Sequence, residues 1–289
     1  MFLRVAASAE TLRLLKHLDR PGTYAALAPE LTVAGRTDFR SEALTGPACT
    51  LGTQGFGTLA GIISAEKLAP MRQAVAALAE AGLPPVFAHV YDELWEPLTS
   101  LRRIAHDELG AFDVLPDAWV FNVPPGARGW RPHRGSHTFE GGRTMLNVWI
   151  ALTPATRTRS CMFVVPLDRD PAYPGNLGSC DIPGGAEIAL EALPGTACVW
   201  DANVLHWGGE IVHDAPTSRM SVTYTLRRSN ARGADHGVLD LSRLDLRARL
   251  DLIAQQLVKY AHMERVSDDL MEWAKLTLLA RHFAARPAK

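Results

Sequence analysis

The chain has 289 residues, 47% hydrophobic and 21% charged, with 30 basic and 31 acidic residues and a net charge of −1. That length can bury a sizeable core, and that balance gives no electrostatic basis for binding nucleic acid or an anionic membrane surface. No run of 18 apolar residues occurs and the first residues carry charges throughout, so neither a membrane span nor a secretory leader is expected, and a cytoplasmic protein is.

In chain order, residues 8–20 read as a helix with leucines at helical spacing (Leu12, Leu15, Leu18), stopped by Pro21-Gly22. Residues 31–52 are rich in turn formers. "GFGTLAGII" (55–63) reads as a short strand. Ser64 then stands as an N-cap before an amphipathic helix that ends at Gly82. Residues 91–109 suggest another helix.

From about residue 117 the pattern changes. "AWVFNV", "MLNVWIAL", "CMFVVP", "TACVWD" and "MSVTYTL" are short runs rich in Val, Trp, Tyr and Thr, separated by Gly, Pro and Asp. That is the signature of antiparallel strands in a sandwich or barrel, the jelly roll among them. After residue 238 helical spacing returns in two long segments. The expected plan is a single domain over 1–289: a helical part (1–115), a β core (116–230) and C-terminal helices (238–285). Each helical flank has an apolar face to bury, which favours one domain over two. Cys49, Cys161, Cys180 and Cys198 lie far apart with no CxxC pair, so free thiols are expected rather than a zinc knuckle.

The chemistry-bearing residues fall in the β region. His133 follows the loop "PPGARGWRP", and His206 ends the apolar run "GTACVWDANVLHW", read here as one strand. Strands between them can bring the two imidazoles together, and imidazole suits iron, zinc, copper or nickel alike. Arg219 opens the last strand run, with Ser221 two residues on and so on the same face. A buried arginine there can clamp a carboxylate with two parallel hydrogen bonds.

Taken in order, "GWRPHRG", "LNVWIALTPATRTRSCMFVVPLDRDP", "LPGTACVWDANVLHWGG" and "SRMSVTYTLRR" resemble the phytanoyl-CoA dioxygenase-like branch of the iron(II)/2-oxoglutarate-dependent oxygenases. The resemblance covers residues 55–230. It implies a mainly β fold with flanking helices: a double-stranded β-helix, or jelly roll, wrapped by N- and C-terminal helices. It implies iron(II), 2-oxoglutarate and O2 as cofactors. His133 and His206 would be metal ligands, and Arg219 and Ser221 would hold the far carboxylate of 2-oxoglutarate. Trp149 would line the cosubstrate pocket, with Asn147 on the same strand face and also within reach of the cosubstrate.

One position departs from the family pattern. Its first motif usually reads H-x-D, and here Gly135 stands in place of the acid. The resemblance extends to iron/2-oxoglutarate halogenases, which carry alanine or glycine there and seat a halide on the metal. Gly135 then implies chloride as a co-substrate and chlorination of an aliphatic C–H bond in a small molecule, free or carrier-tethered. Two other readings stand beside it: a hydroxylase whose third ligand comes from elsewhere (His137, Glu140 or Asp201), or a non-catalytic binding protein. A zinc hydrolase using His133, His137 and His206 lacks an H-E-x-x-H motif and leaves Arg219 and Ser221 without a role. Arg134 is expected to be a solvated arginine, and His213, His236 and His262 solvated histidines. The sequence does not specify an oligomeric state.

Overall fold

The computed structural model describes residues 8–36, 39, 51–101, 110–135, 144–231, 237–262 and 265–284. Within them the β-branched and aromatic runs form β1 (Phe56–Leu59), β2 (Phe112–Val123), β3 (Met145–Ala151), β4 (Met162–Val165), β5 (Ile188–Leu190), β6 (Ala197–Asp201), β7 (Leu205–Gly208) and β8 (Arg219–Arg228). One sheet has the order β1-β6-β3-β8-β2 and the other the order β5-β4-β7. Every pairing is antiparallel. The two sheets face each other as a double-stranded β-helix, with helices on the outside of the larger one.

The run "GTACVWDANVLHW" is not one strand. It breaks after Asp201, whose Oδ1 accepts from the Asn203 backbone N–H at 2.8 Å. This Asx turn lets the chain leave the large sheet as β6 and enter the small one as β7. The continuous apolar run hides the corner, because residues on both sides of it are buried.

Five of the seven residues of β3 are buried because both its faces are covered. Val148 and Ile150, with Val222, Tyr224 and Leu226 of β8, join a core that includes Phe87, Trp95, Ile253 and Trp273 from the helical parts. Trp149, with Cys198 and Trp200 of β6, packs instead against Met162 and Val164 between the sheets. Alternation along the strand therefore sends even positions to the helices and odd positions into the barrel.

The helices are α1 (Ala9–Leu18), α2 (Pro21–Leu27), α3 (Ala65–Glu80), α4 (Leu246–Lys259) and α5 (Asp268–Ala284). Pro21 does more than stop α1. It occupies the first turn of α2, where its missing N–H costs nothing. Ser64 precedes α3 but donates its hydroxyl to Glu66 instead of capping the backbone. Gly82, at φ +74°, closes that helix. Of the helix expected at 91–109, residues 92–94 form a 3-10 turn and 96–101 are helical; 102–109 lie outside the described residues. Ser8 and Thr11 of the first helical turn hydrogen-bond Asp269 and Glu272 of α5, tying the two helical flanks together. Among the described residues, no helix is long and apolar enough to cross a membrane.

A buried ion pair also joins the flanks. Arg249 of α4 donates to Asp92 Oδ1 at 2.6 Å, and both side chains are essentially inaccessible. Its other donors reach the carbonyls of Leu244, Val90 and Arg36. Asp92→Ala would leave that cation buried without its counter-charge, so a stability loss of about 3–5 kcal/mol is expected. The check is the urea midpoint at unchanged slope.

Candidate metal centre and cosubstrate pocket

The segment after β2 runs back beside β7. Gly129 N–H donates to Gly209 O, Gly208 N–H to Trp130 O, and His133 and His206 exchange both backbone hydrogen bonds at 3.0 Å. The crossing is tight: a Cβ on Gly129 would lie 2.6 Å from Gly208 Cα, so only glycine fits. This local pairing sets His133 directly opposite His206, with ring centroids 4.2 Å apart.

Each imidazole is oriented by a carbonyl two residues back. His133 Nδ1 donates to Arg131 O at 2.7 Å and His206 Nδ1 to Val204 O at 2.9 Å. A carbonyl can only accept, so each Nδ1 carries the proton and each Nε2 keeps its lone pair for a ligand. Burial lowers His133 below the ordinary histidine value. Burial lowers His206 well below it, and His133 and Arg134 add to the effect. Both rings are therefore neutral at neutral pH, the form that binds a metal.

The two histidines line a cavity of about 490 Å³ inside the barrel, together with Gly135, Asn147, Trp149 and Arg219. Arg219 is fully buried. Its Nε donates to Ser160 O, its Nη1 to Ser221 Oγ at 2.7 Å and its Nη2 to Ser160 Oγ. Its guanidinium carbon lies 5.6 Å from the centroids of both Phe121 and Trp149. Among the described residues no carboxylate pairs with it, and burial pushes its pKa down to about 10. Ser160 has no motif around it in the sequence. It holds Arg219 from a left-handed backbone conformation, φ +51°, which only the fold reveals.

Gly135 donates its N–H to Ala202 O at 2.8 Å. A Cβ there would meet Asn147 Nδ2 at 2.8 Å and the Ala202 Cβ at 3.2 Å. Asn147 thus presents its amide to Gly135, in the direction a side chain at 135 would take. Among the described residues that buried Nδ2 has no hydrogen-bond partner, nor do the buried Trp200 Nε1 and Arg134 Nη2. Trp200 pairs with Asn147 across β6 and β3, and its ring lies 4.8 Å from that of His206.

Arg134 is not solvated. It is buried, pairs with Asp170 at 2.6 Å, and donates to the carbonyls of Asn203 and Ser179. A sequence cannot distinguish this from a surface arginine, because Asp170 lies in a loop far along the chain. Asp201 does not approach the histidines as a third ligand. It follows inward-facing Trp200 on β6, is absent from the cavity lining, and accepts from Asn203 in the turn. His137 and Glu140 lie outside the described residues, as does His236. His213 is exposed, whereas His262 is exposed and yet lines the cavity. Among the described residues no three His, Cys, Asp or Glu side chains converge.

The donor set still fits the expected cofactors in part. Two neutral imidazoles side by side suit a first-row metal ion. A buried guanidinium beside a hydroxyl, with no carboxylate partner among the described residues, suits a carboxylate.

The profile of the phytanoyl-CoA dioxygenase (PhyH) family matches residues 70–220. No curated protein sequence matches significantly. Among solved structures, the chain is similar to AviO1 from Streptomyces viridochromogenes Tue57, with TM-score 0.52, 16% identity, and 64% of this chain and 94% of that one covered. At that identity the likeness speaks to the fold. EctD from S. alaskensis with bound Fe aligns at TM-score 0.49 and 16% identity, covering 68% of this chain and 86% of that one. EvdO2 from Micromonospora carbonacea var. aurantiaca complexed with 2-oxoglutarate aligns at 0.48 and 18%, covering 65% and 91%. The family match spans more than half of the chain and contains both histidines, Gly135 and Arg219, and on it this chain belongs to the phytanoyl-CoA dioxygenase (PhyH) family of iron(II)/2-oxoglutarate-dependent oxygenases.

Proposed function

We propose that the chain functionalises an aliphatic C–H bond of a small molecule, and that a halide, chloride first, takes the ligand position beside Gly135. The observation that carries this reading is the Asn147 Nδ2, without a hydrogen-bond partner among the described residues and buried 2.8 Å from where a Gly135 side chain would begin. A buried N–H without an acceptor costs about 1–3 kcal/mol. An anion beside Gly135 would accept it, and Trp200 Nε1 and Arg134 Nη2 are orphaned donors lining the same cavity.

Iron(II) with 2-oxoglutarate and O2 supplies the oxidising chemistry when bound. The chain's residues bind and orient. His133 and His206 would hold the metal through Nε2, with their rings fixed by the Arg131 and Val204 carbonyls. Arg219 would take the far carboxylate of 2-oxoglutarate and Ser221, which already accepts from Arg219, would add its hydroxyl, while Trp149 packs against the guanidinium. Asn147 serves the anion beside Gly135 rather than the cosubstrate. Which group a bound substrate carbon receives would depend on where the cavity walls hold it.

The test needs no substrate. Protein with iron(II) and 2-oxoglutarate, kept free of oxygen, is titrated with chloride while the charge-transfer absorption is followed. A saturable shift with chloride is expected. His133→Ala and His206→Ala should each remove the band. A band indifferent to chloride returns the site to a hydroxylase with its third ligand from His137 or Glu140.

A further inference from the structure

One wall of the cavity is aromatic, and apart from Phe121, which packs on Arg219, the metal and cosubstrate assignments leave it without a role. Trp119 and Phe121 stand two residues apart on β2 and face inward. Trp130 comes from the crossing segment, three residues before His133. Tyr260 follows the last turn of α4. Trp130 is the centre of the wall: its ring centroid lies 4.7 Å from Phe121, 5.0 Å from Tyr260, 6.3 Å from Trp119 and 6.0 Å from His133. We infer that this wall is the substrate subsite, and that it takes a compact ring-bearing molecule with a carbonyl or hydroxyl oxygen, not a linear acyl chain on a nucleotide thioester. The inference rests on the reading of His133 and His206 as the reactive centre.

Shape comes first. The rings are tilted against one another by 40° to 78°, so the wall offers both faces and edges. A ring in the substrate can meet them offset or edge-on, the favourable aromatic geometries. A flexible chain would lose rotamer freedom for a weaker contact.

The wall is also held in place before anything binds. Tyr260 donates its hydroxyl to Asp117 Oδ1 at 2.7 Å, and Asp117 Oδ2 pairs with Lys259 at 2.9 Å. Burial, with Asp117 adding to it, raises the Tyr260 hydroxyl far above its usual value, so it stays a donor.

Polarity narrows the class. Among the described residues Trp119 Nε1, buried in this wall, has no hydrogen-bond partner, which leaves a donor for an oxygen acceptor. Among the described residues the lysines and arginines lining the cavity are Arg134, Arg219 and Lys259. Arg134 is paired with Asp170 and Lys259 with Asp117. Arg219 is the one assigned to 2-oxoglutarate. None of the three is left for the phosphates of a nucleotide tail.

The experiment is calorimetric binding to protein loaded with iron(II) and 2-oxoglutarate without oxygen, repeated without iron. The probes are 2-tetralone, its hydrocarbon tetralin, the linear decan-2-one, and decanoyl-CoA. We expect 2-tetralone to bind about tenfold tighter than decan-2-one, and Trp130→Leu to lose that preference while Trp130→Phe keeps most of it. Trp119→Phe should bring 2-tetralone down to tetralin. Should Trp130→Leu fail to fold, Tyr260→Leu makes the same test. Equal or tighter binding of decan-2-one or decanoyl-CoA, or no binding of 2-tetralone, overturns the inference. A wild-type protein that ignores chloride yet prefers 2-tetralone overturns the halide reading alone.

Discussion

Replacing Arg219 with methionine should weaken 2-oxoglutarate binding by about 30-fold to 4,000-fold, the range that follows from losing a buried charge-assisted clamp worth about 2–5 kcal/mol. The same substitution should leave the cosubstrate-free protein no less stable, or make it more so. Arg219 is a fully buried cation whose partners are the neutral Ser160 and Ser221, and burial already drives its pKa down to about 10. Removing such a charge relieves a desolvation penalty, and methionine fills similar space between Phe121 and Trp149. Equilibrium dialysis of 2-oxoglutarate and a thermal melt without it report the two effects separately. Arg219→Lys should not restore affinity, because an ammonium cannot make two parallel bonds to a carboxylate. If affinity is unchanged, or if both quantities fall together, Arg219 is a structural residue and the cosubstrate lies elsewhere.

Gly135→Asp should abolish the response to chloride while keeping the charge-transfer absorption of the iron–2-oxoglutarate complex. The new side chain starts 2.8 Å from Asn147 Nδ2 and 3.2 Å from Ala202 Cβ. The Asn147 amide is the far end of a side chain and can rotate, whereas Ala202 must give by a few tenths of an ångström, so a stability cost of about 1–3 kcal/mol is expected. The carboxylate would also accept the orphaned Asn147 N–H. Products, if turnover survives, should carry hydroxyl in place of halogen. Asn147→Ala approaches the same seat from the other side. It keeps Gly135 and removes one donor to an anion, so chloride should bind about 10-fold to 100-fold more weakly, since a hydrogen bond to a charged group is worth about 1.5–3 kcal/mol. Chloride affinity unchanged in both variants would mean that no halide sits beside Gly135.

Local patterns carried much of the fold in the sequence. The runs "MLNVWIAL" and "MSVTYTL" became β3 and β8 because β-branched and aromatic residues suit a pleated surface buried on both faces. Leucine spacing and capping residues placed the helical segments, although at Pro21 a residue read as a stop also opens the next helix. The corner at residues 202–204 was not legible, because periodicity is silent where a chain moves from one buried sheet to another. β5 was missed for a related reason: three residues in a polar stretch carry too little pattern.

The site divides in the same way. His133, Gly135, His206, Arg219 and Ser221 were legible as candidate site residues through the family resemblance, and strand alternation puts Arg219 and Ser221 on one face. Tertiary structure alone decided the rest. It buried Arg134 against Asp170, drew Asp201 away into a turn, and set the Asn147 amide, without a hydrogen-bond partner among the described residues, beside Gly135. It also brought Tyr260 from the far end of the chain onto Trp130 to finish the aromatic wall. The reason is physical: a side chain's type is local, but its burial, its partner and its freedom to accept a ligand depend on groups that only folding brings beside it.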